Sequence, residues 1–239
     1  MGLIVRVDVD NPYPRNTKMG LVANYLKLNL YFPKLKFLGY LIHLERLIDY
    51  LTSLGVSATL FIRVEALPKN LKFDRRAYEV ALHAVNTRNY SSFLQEVNIL
   101  KREFGEIIGF SKHGSGKLKL SRRHYAPYEP HKYIRWGIKC GLKYFSGNDQ
   151  DFTKTYLLQN DFVYFPSAFW LKSTLTERES SVKRLLEYSE DNDAVVLVHP
   201  INWYLYENLR RNLDYILSRA NEILSFREFL KKKIKVKLE

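Results

Sequence analysis

With 239 residues, 46% of them hydrophobic and 26% charged, the chain can bury a sizeable core, which excludes disordered, collagen-like and disulfide-scaffold classes. A single cysteine, Cys140, offers neither an internal disulfide nor a Cys/His zinc framework and fits a reducing compartment. The 38 Lys+Arg against 25 Asp+Glu leave a net charge of +13, a field that attracts anionic partners unless the excess is scattered.

The first predicted element is Leu3–Val9, an almost continuous β-branched run that reads as a buried strand with Asp8 and Asp10 at its exit. Asn11, Pro12 and Pro14 stop it. A helical pattern covers residues 19–31, is interrupted by Pro33 and Gly39, and resumes on Leu41, Leu44, Leu47, Ile48 and Leu51 until Gly55. Lys27, Lys34 and Lys36 punctuate this stretch and argue against membrane insertion. Residues 57–64 read as a second strand, 78–83 as a third, 91–104 as a helix and 107–111 as a fourth strand running into Lys112, His113 and Gly114. A helix is expected at 131–140, short strands at 142–145 and 162–165, and a helix at 181–189. Ala194–Val198 is the last strong strand, ending in His199 and Pro200. A helix at 207–224 follows, then 233–238 as either an edge strand or the trailing end of a helix at 226–232.

Strands alternating with helices, without a Ser/Gly/Pro linker or a repeat, predict one α/β domain over 1–239 with a parallel sheet, in closed form a distorted (β/α) barrel of about seven parallel strands. The open doubly wound form lacks its G-x-G-x-x-G fingerprint after the first strand. No apolar run approaches a membrane span, and Arg6 with two aspartates interrupts any signal-peptide core, so a cytoplasmic protein without a transmembrane segment is expected. The basic excess is mostly scattered. Its dense cluster is Lys231, Lys232, Lys233, Lys235 and Lys237, its looser one Lys112, Lys117, Lys119, Arg122 and Arg123.

The informative pattern is positional. Asp8 and Asp10, His83, His113 and His199 all stand at strand ends, and in parallel α/β folds the C-terminal strand ends share one face. Asp8 and Asp10, two apart in an extended strand, point the same way and can share a proton or hold a cation. A lone strand-end histidine is an ordinary core residue; three in one topological position are not. Gly114 and Gly116 beside His113 let backbone approach a ligand. Gly114-Ser115-Gly116-Lys117 fails the phosphate-loop pattern, and no G-x-S-x-G elbow occurs. His43, His124 and His131 read as surface or packing residues.

In their order, RVDVDNP, SATLFIRV, YEVALHAVNT, GFSKHG and VVLVHPINW resemble the polysaccharide deacetylase family, and in wording its branch with a DVD first motif and a final HP-x-x-W. The resemblance implies a (β/α) barrel that removes acetyl groups from sugars with a divalent metal. It places Asp8 as base, Asp10 and His83 as metal ligands and His199 as acid. It also shows two departures. Thr87 stands where the family has a second histidine one helical turn after the first, and its arginine-proline motif is absent. His113 would then be the third ligand from a neighbouring strand. Trp203, Asn86 and Lys112 complete the set as substrate contacts, with Tyr125, Tyr128 and Trp136 as sugar-stacking rings whose ordinary alternative is core packing. Two His and one Asp suit Zn, Co, Mn, Fe or Ni alike.

The substrate expected is an acetylated sugar or sugar conjugate, anionic if the pocket is basic, such as a nucleotide-linked or phospholipid-linked sugar. Three alternatives stay open: a metal-free, inactive carbohydrate-binding relative, a hydrolase of small non-peptide C–N bonds, and a nucleic-acid binder. The last lacks a reading motif, and no specific nucleic acid is expected. Oligomeric state is not written in the sequence.

Overall fold

In the computed structural model the described residues are 2–30, 32–67, 73–114, 121–171 and 179–235. Gly116, Lys117, Lys119 and Lys237 lie outside them. In chain order the elements are β1 (Leu3–Val9), α1 (Lys18–Asn29), α2 (Ile42–Ser53), β2 (Ala58–Ile62), β3 (Tyr78–Ala84), α3 (Tyr90–Phe104), β4 (Gly109–Lys112), α4 (Pro130–Lys139), β5 (Tyr144–Asp149), β6 (Leu157–Gln159), β7 (Phe162–Ser167), β8 (Phe169–Trp170), α5 (Glu179–Asp191), β9 (Ala194–Val198), α6 (Pro200–Leu205), α7 (Glu207–Arg219), β10 (Ile223–Leu224) and α8 (Phe226–Phe229).

These strands make one sheet in the order β6-β7-β5-β4-β3-β2-β1-β9-β8. β7 runs through Ala168 straight into β8; β7 pairs with β5 and β8 with β9, so the sheet returns to the far neighbour of β1. The ring β1, β2, β3, β4, β5, β7–β8, β9 is parallel throughout, a distorted (β/α) barrel. β6 lies antiparallel on β7, and β10 pairs with the start of β1.

Period-two alternation sorts the side chains. From β1, Leu3, Val5, Val7 and Val9 face the helices, with Leu44, Leu47 and Leu51 of α2 and Phe93, Val97 and Leu100 of α3 in the same layer. Ile4 faces the interior with Phe61, Ala81, Tyr144, Phe165 and Leu197. α8 stops the N-terminal end of the barrel: Phe226 stacks on Tyr144 at 4.6 Å, and Phe229 and Leu230 are fully buried beside it. Each such side chain stabilises the fold by roughly 1.5–3 kcal/mol. With that end closed by apolar rings around the buried Glu79, the open face of the barrel lies at the C-terminal ends of the strands.

Two sequence expectations are corrected and one open alternative is decided for the described residues. The helix expected at 207–224 ends at Arg219: Ala220 turns to extended backbone (φ −69°, ψ 131°), and Ile223 and Leu224 pair with Leu3 and Ile4. An apolar spacing that continued the helical period is overridden by free backbone groups at the start of β1. The strand expected at 57–64 ends at Ile62, Val64 entering a short 3₁₀ turn. At the C-terminus, 230–234 continues α8 as a π-helical turn closed by Lys235 at φ 58°, the trailing-end alternative, while 236–238 lies outside the described residues. Among the described residues, no helix is long and apolar enough to cross a membrane.

Candidate metal centre

β1 delivers the first two groups. Its inward positions are Ile4, Arg6 and Asp8, and Asp10 follows one residue beyond the strand, where the Asp10 amide donates to the Asp8 carbonyl at 3.2 Å. β3 brings His83 inward, opposite Ser111 of β4. His113 follows β4 and is tied back by its amide to the Ala84 carbonyl at 2.8 Å. His199 ends β9 and is the N-cap of α6, with Pro200 at the first helical position, where its missing N–H is not needed.

The Asp10 carboxylate joins the three histidines. Its Oδ1 lies 2.9 Å from His83 Nε2 and 2.9 Å from His113 Nδ1, those two nitrogens lie 3.1 Å apart, and Oδ2 lies 3.3 Å from His199 Nε2. Asp8 stands beside them, its Oδ2 3.7 Å from His83 Nε2. Apart from half-buried Asp10 and His199, these groups are buried.

Arg6, not singled out from the sequence, organises this end of the barrel. Fully buried, it grips Asp8 side-on, Nε to Oδ1 and Nη2 to Oδ2 both at 2.8 Å, and its remaining donors reach Ser146 Oγ, the Gly147 carbonyl and Asn148 Oδ1 on β5. Burial works against the Asp8 charge, but the guanidinium, helped by His83 and His199, holds its carboxyl below the ordinary range. Asp10 is held well below it as well, since His113 and His83 outweigh burial. His199 moves the other way: burial opposes its charge, but hydrogen bonding to Asp10 and the two carboxylates raise it. Burial drives His113 down to about 3.

Asp10, His83 and His113 can together hold a metal ion. Two imidazole nitrogens and a carboxylate oxygen are a donor set suited to a divalent transition metal, and their mutual spacing fits three adjacent positions around one ion. His83 also has a suitable outer partner, Ser111 Oγ at 2.6 Å from Nδ1, which fixes the ring with Nε2 toward the site. One neighbour does not fit. Arg63 Nη1 lies 3.2 Å from His113 Nε2, and a guanidinium only donates, so this contact assigns the proton of His113 to Nδ1, toward Asp10. Ligation through Nδ1 moves that proton to Nε2 and requires Arg63 to withdraw.

The other expected site residues fall elsewhere. Lys112 is fully buried, donating from Nζ to the His113 carbonyl at 2.5 Å and lying 3.3 Å from His124 Nε2; burial lowers it to about 7. Asn86 is half-buried, and its backbone N–H donates to the Glu96 carboxylate. Trp203 sits one turn into α6 and is buried against Tyr50 of α2, ring centroids 5.2 Å apart, so the HP-x-x-W segment combines a strand-end histidine with a helix anchor. Thr87 is fully buried, its hydroxyl donating to Tyr133. Tyr128 and Trp136 pack on Tyr133, and Lys132 lies over the Tyr125 and Trp136 rings. His124, read from the sequence as packing, meets His113 edge-on, centroids 5.4 Å apart.

Comparison with protein-family models finds no match, and comparison with curated proteins finds none. Three solved structures are similar to the chain. One, from Bordetella bronchiseptica and described provisionally as a polysaccharide deacetylase involved in O-antigen biosynthesis, is 14% identical over 98% of this chain and 81% of that one, with a TM-score of 0.49. The chitin deacetylase of Colletotrichum lindemuthianum is 13% identical over 95% and 85%, TM-score 0.48. A mutant peptidoglycan deacetylase of Bacillus subtilis is 12% identical over 98% and 93%, TM-score 0.43. At these scores they carry no argument about the chemistry of this chain.

Proposed function

We propose that the barrel mouth is a metal-dependent deacetylase site that hydrolyses the amide or ester of an acetylated sugar or sugar conjugate. One observation carries the reading: Asp10 joins His83 and His113 through one oxygen and His199 through the other, directly beside an ionised Asp8. The sugar as substrate comes from the motif resemblance alone.

Asp10, His83 and His113 would hold the ion, which when bound supplies Lewis-acid polarisation of the acetyl carbonyl and lowers the pKa of the attacking water. Asp8, kept ionised by Arg6, takes the proton of that water as its oxygen adds to the carbonyl carbon. His199, whose proton the two carboxylates retain, gives it to the leaving nitrogen or oxygen as the carbonyl–heteroatom bond breaks, so that acetate and a free amine or hydroxyl result. Asp10 sets the orientation of all three imidazoles. Ser111 and Arg6 hold their partners in place and touch no reacting atom.

A second reading, a metal-free barrel that binds sugar without hydrolysing it, is favoured by the contact of Arg63 with His113. An assay for acetate release from N-acetylglucosamine oligomers, with zinc, cobalt or manganese restored, separates the two. Turnover that is abolished by chelation and by His199→Ala supports the first reading; no turnover with any of the three metals overturns it.

A further inference from the structure

α1 is apolar on both sides. Gly20, Ala23, Asn24 and Leu28 face the protein, while Met19 (62% exposed), Val22 (58%) and Tyr25 (65%) form an outward stripe at a spacing of three. Leu21 and Leu30 widen it, and Phe37, 82% exposed, stands on the separate short 3₁₀ turn Lys36–Leu38 that follows in the chain. A surface helix ordinarily turns polar residues outward, and several large apolar side chains together mark a contact surface. The segment that carries it is basic: residues 11–44 hold Arg15, Lys18, Lys27, Lys34 and Lys36 and no Asp or Glu, and the one carboxylate on the neighbouring cavity wall, Glu65, has a buried side chain 3.5 Å from Arg63.

A cavity of about 500 Å³ opens at the C-terminal end of the same helix, lined among others by Leu30, Lys27, Lys34, Arg122 and Arg123. It lies next to the barrel mouth. Its wall includes Val64 and Glu65, which follow Arg63, the residue that meets His113; Arg122 and Arg123 follow Ser121, whose hydroxyl accepts from Arg63 Nη2 at 3.3 Å.

We propose that the α1 face is a docking surface for an anionic phospholipid membrane, the apolar stripe entering the interface and the cation-lined cavity meeting headgroup phosphates. At 12 residues α1 is far too short to span a bilayer but long enough to lie in its surface plane. Charge selects lipid over a second copy of the chain. Two copies joined through this face would bring together two segments that each carry five cations and no carboxylate, whereas an anionic leaflet attracts each nearby Lys or Arg by about 1 kcal/mol. The inference stands on the surface alone and does not depend on the chemistry of the barrel mouth.

The test is co-sedimentation of the full chain with vesicles of phosphatidylcholine alone and of phosphatidylcholine with phosphatidylglycerol, at low and high salt. Strong, salt-weakened binding to the anionic vesicles only is expected. Val22→Glu/Tyr25→Glu, at exposed positions, should weaken it about tenfold or more, and Arg122→Glu/Arg123→Glu by a comparable factor. Val22→Ser/Tyr25→Ser, with circular dichroism as a check of folding, covers the case in which the acidic pair does not fold. No vesicle binding, equal binding to both vesicle types, or binding undiminished in folded variants of the helix would overturn the proposal. So would a dimer abolished by these variants in a chain that ignores vesicles.

Discussion

Arg6 and Asp8, two residues apart on one strand, form a two-bonded ion pair inside the barrel, both contacts 2.8 Å long. A carboxylate buried this far needs a full charge partner, and the fork of a guanidinium supplies two parallel bonds that an ammonium cannot. Arg6→Met leaves Asp8 charged, buried and unpaired and is expected to cost roughly 3–5 kcal/mol in urea denaturation. Arg6→Lys should recover only part of that. A methionine variant as stable as the parent would contradict the pairing.

Arg63 is expected to oppose metal binding, because its donors face the nitrogen of His113 that must carry a proton when the other ligates. Arg63→Gln offers a carbonyl acceptor there. Its affinity for zinc, measured by competition with a chromophoric chelator, should rise by about tenfold, the lower end of what outer-sphere partners contribute. An unchanged or weaker affinity would show that the guanidinium does not set the state of His113.

At the opposite end of the barrel, Glu79 accepts from Thr59 and the Arg227 amide on one oxygen and meets Tyr144 Oη at 3.0 Å on the other. Burial raises it from 4.5 to about 7. Between those pH values the folded chain retains a proton that the unfolded chain has released, so the contribution of Glu79 to stability falls as pH rises through this window. Glu79→Gln keeps both acceptor contacts and can donate to Tyr144 Oη. It should match the parent near pH 4 and exceed it by about 2–4 kcal/mol above pH 8. Glu96 is raised to about 7 too but titrates in both proteins, so the difference isolates position 79.

Trp203 is expected to matter for stability rather than for substrate. Trp203→Ala empties the contact between α6 and α2 and should cost about 3–5 kcal/mol, with little change in KM for any substrate found. A large rise in KM with stability unchanged would return Trp203 to the site.

Much of this architecture is legible in the sequence because its strands are buried on both faces. Leu3–Val9, Tyr78–Ala84 and Ala194–Val198 are apolar runs without competing periodicity, and their polar exits mark the face where Asp8, Asp10, His83, His113 and His199 meet. Arg6 was hidden by the same rule. Inside an apolar run it reads as an interruption, and its partners beyond Asp8, on Ser146, Gly147 and Asn148, lie some 140 residues away. A signal was available: Arg6 shares the inward phase of Asp8, as Glu79 shares that of His83. The closed barrel was expected from the strand–helix alternation and the missing dinucleotide fingerprint, but the strand that completes it was not: β8 is two residues with no pattern of their own. The end of α7 was missed because β10 is defined by its partner on β1, not by its own residues.

The most direct test of the deacetylase account is the transition-metal content of the purified chain after mild reloading, read beside Asp10→Ala. Removing Asp10 takes away the one group that, among the described residues, touches all three histidines. About one ion per chain in the parent, lost in the variant, is the expected result. A parent that takes up no metal, or a variant that keeps as much as the parent, would contradict the account.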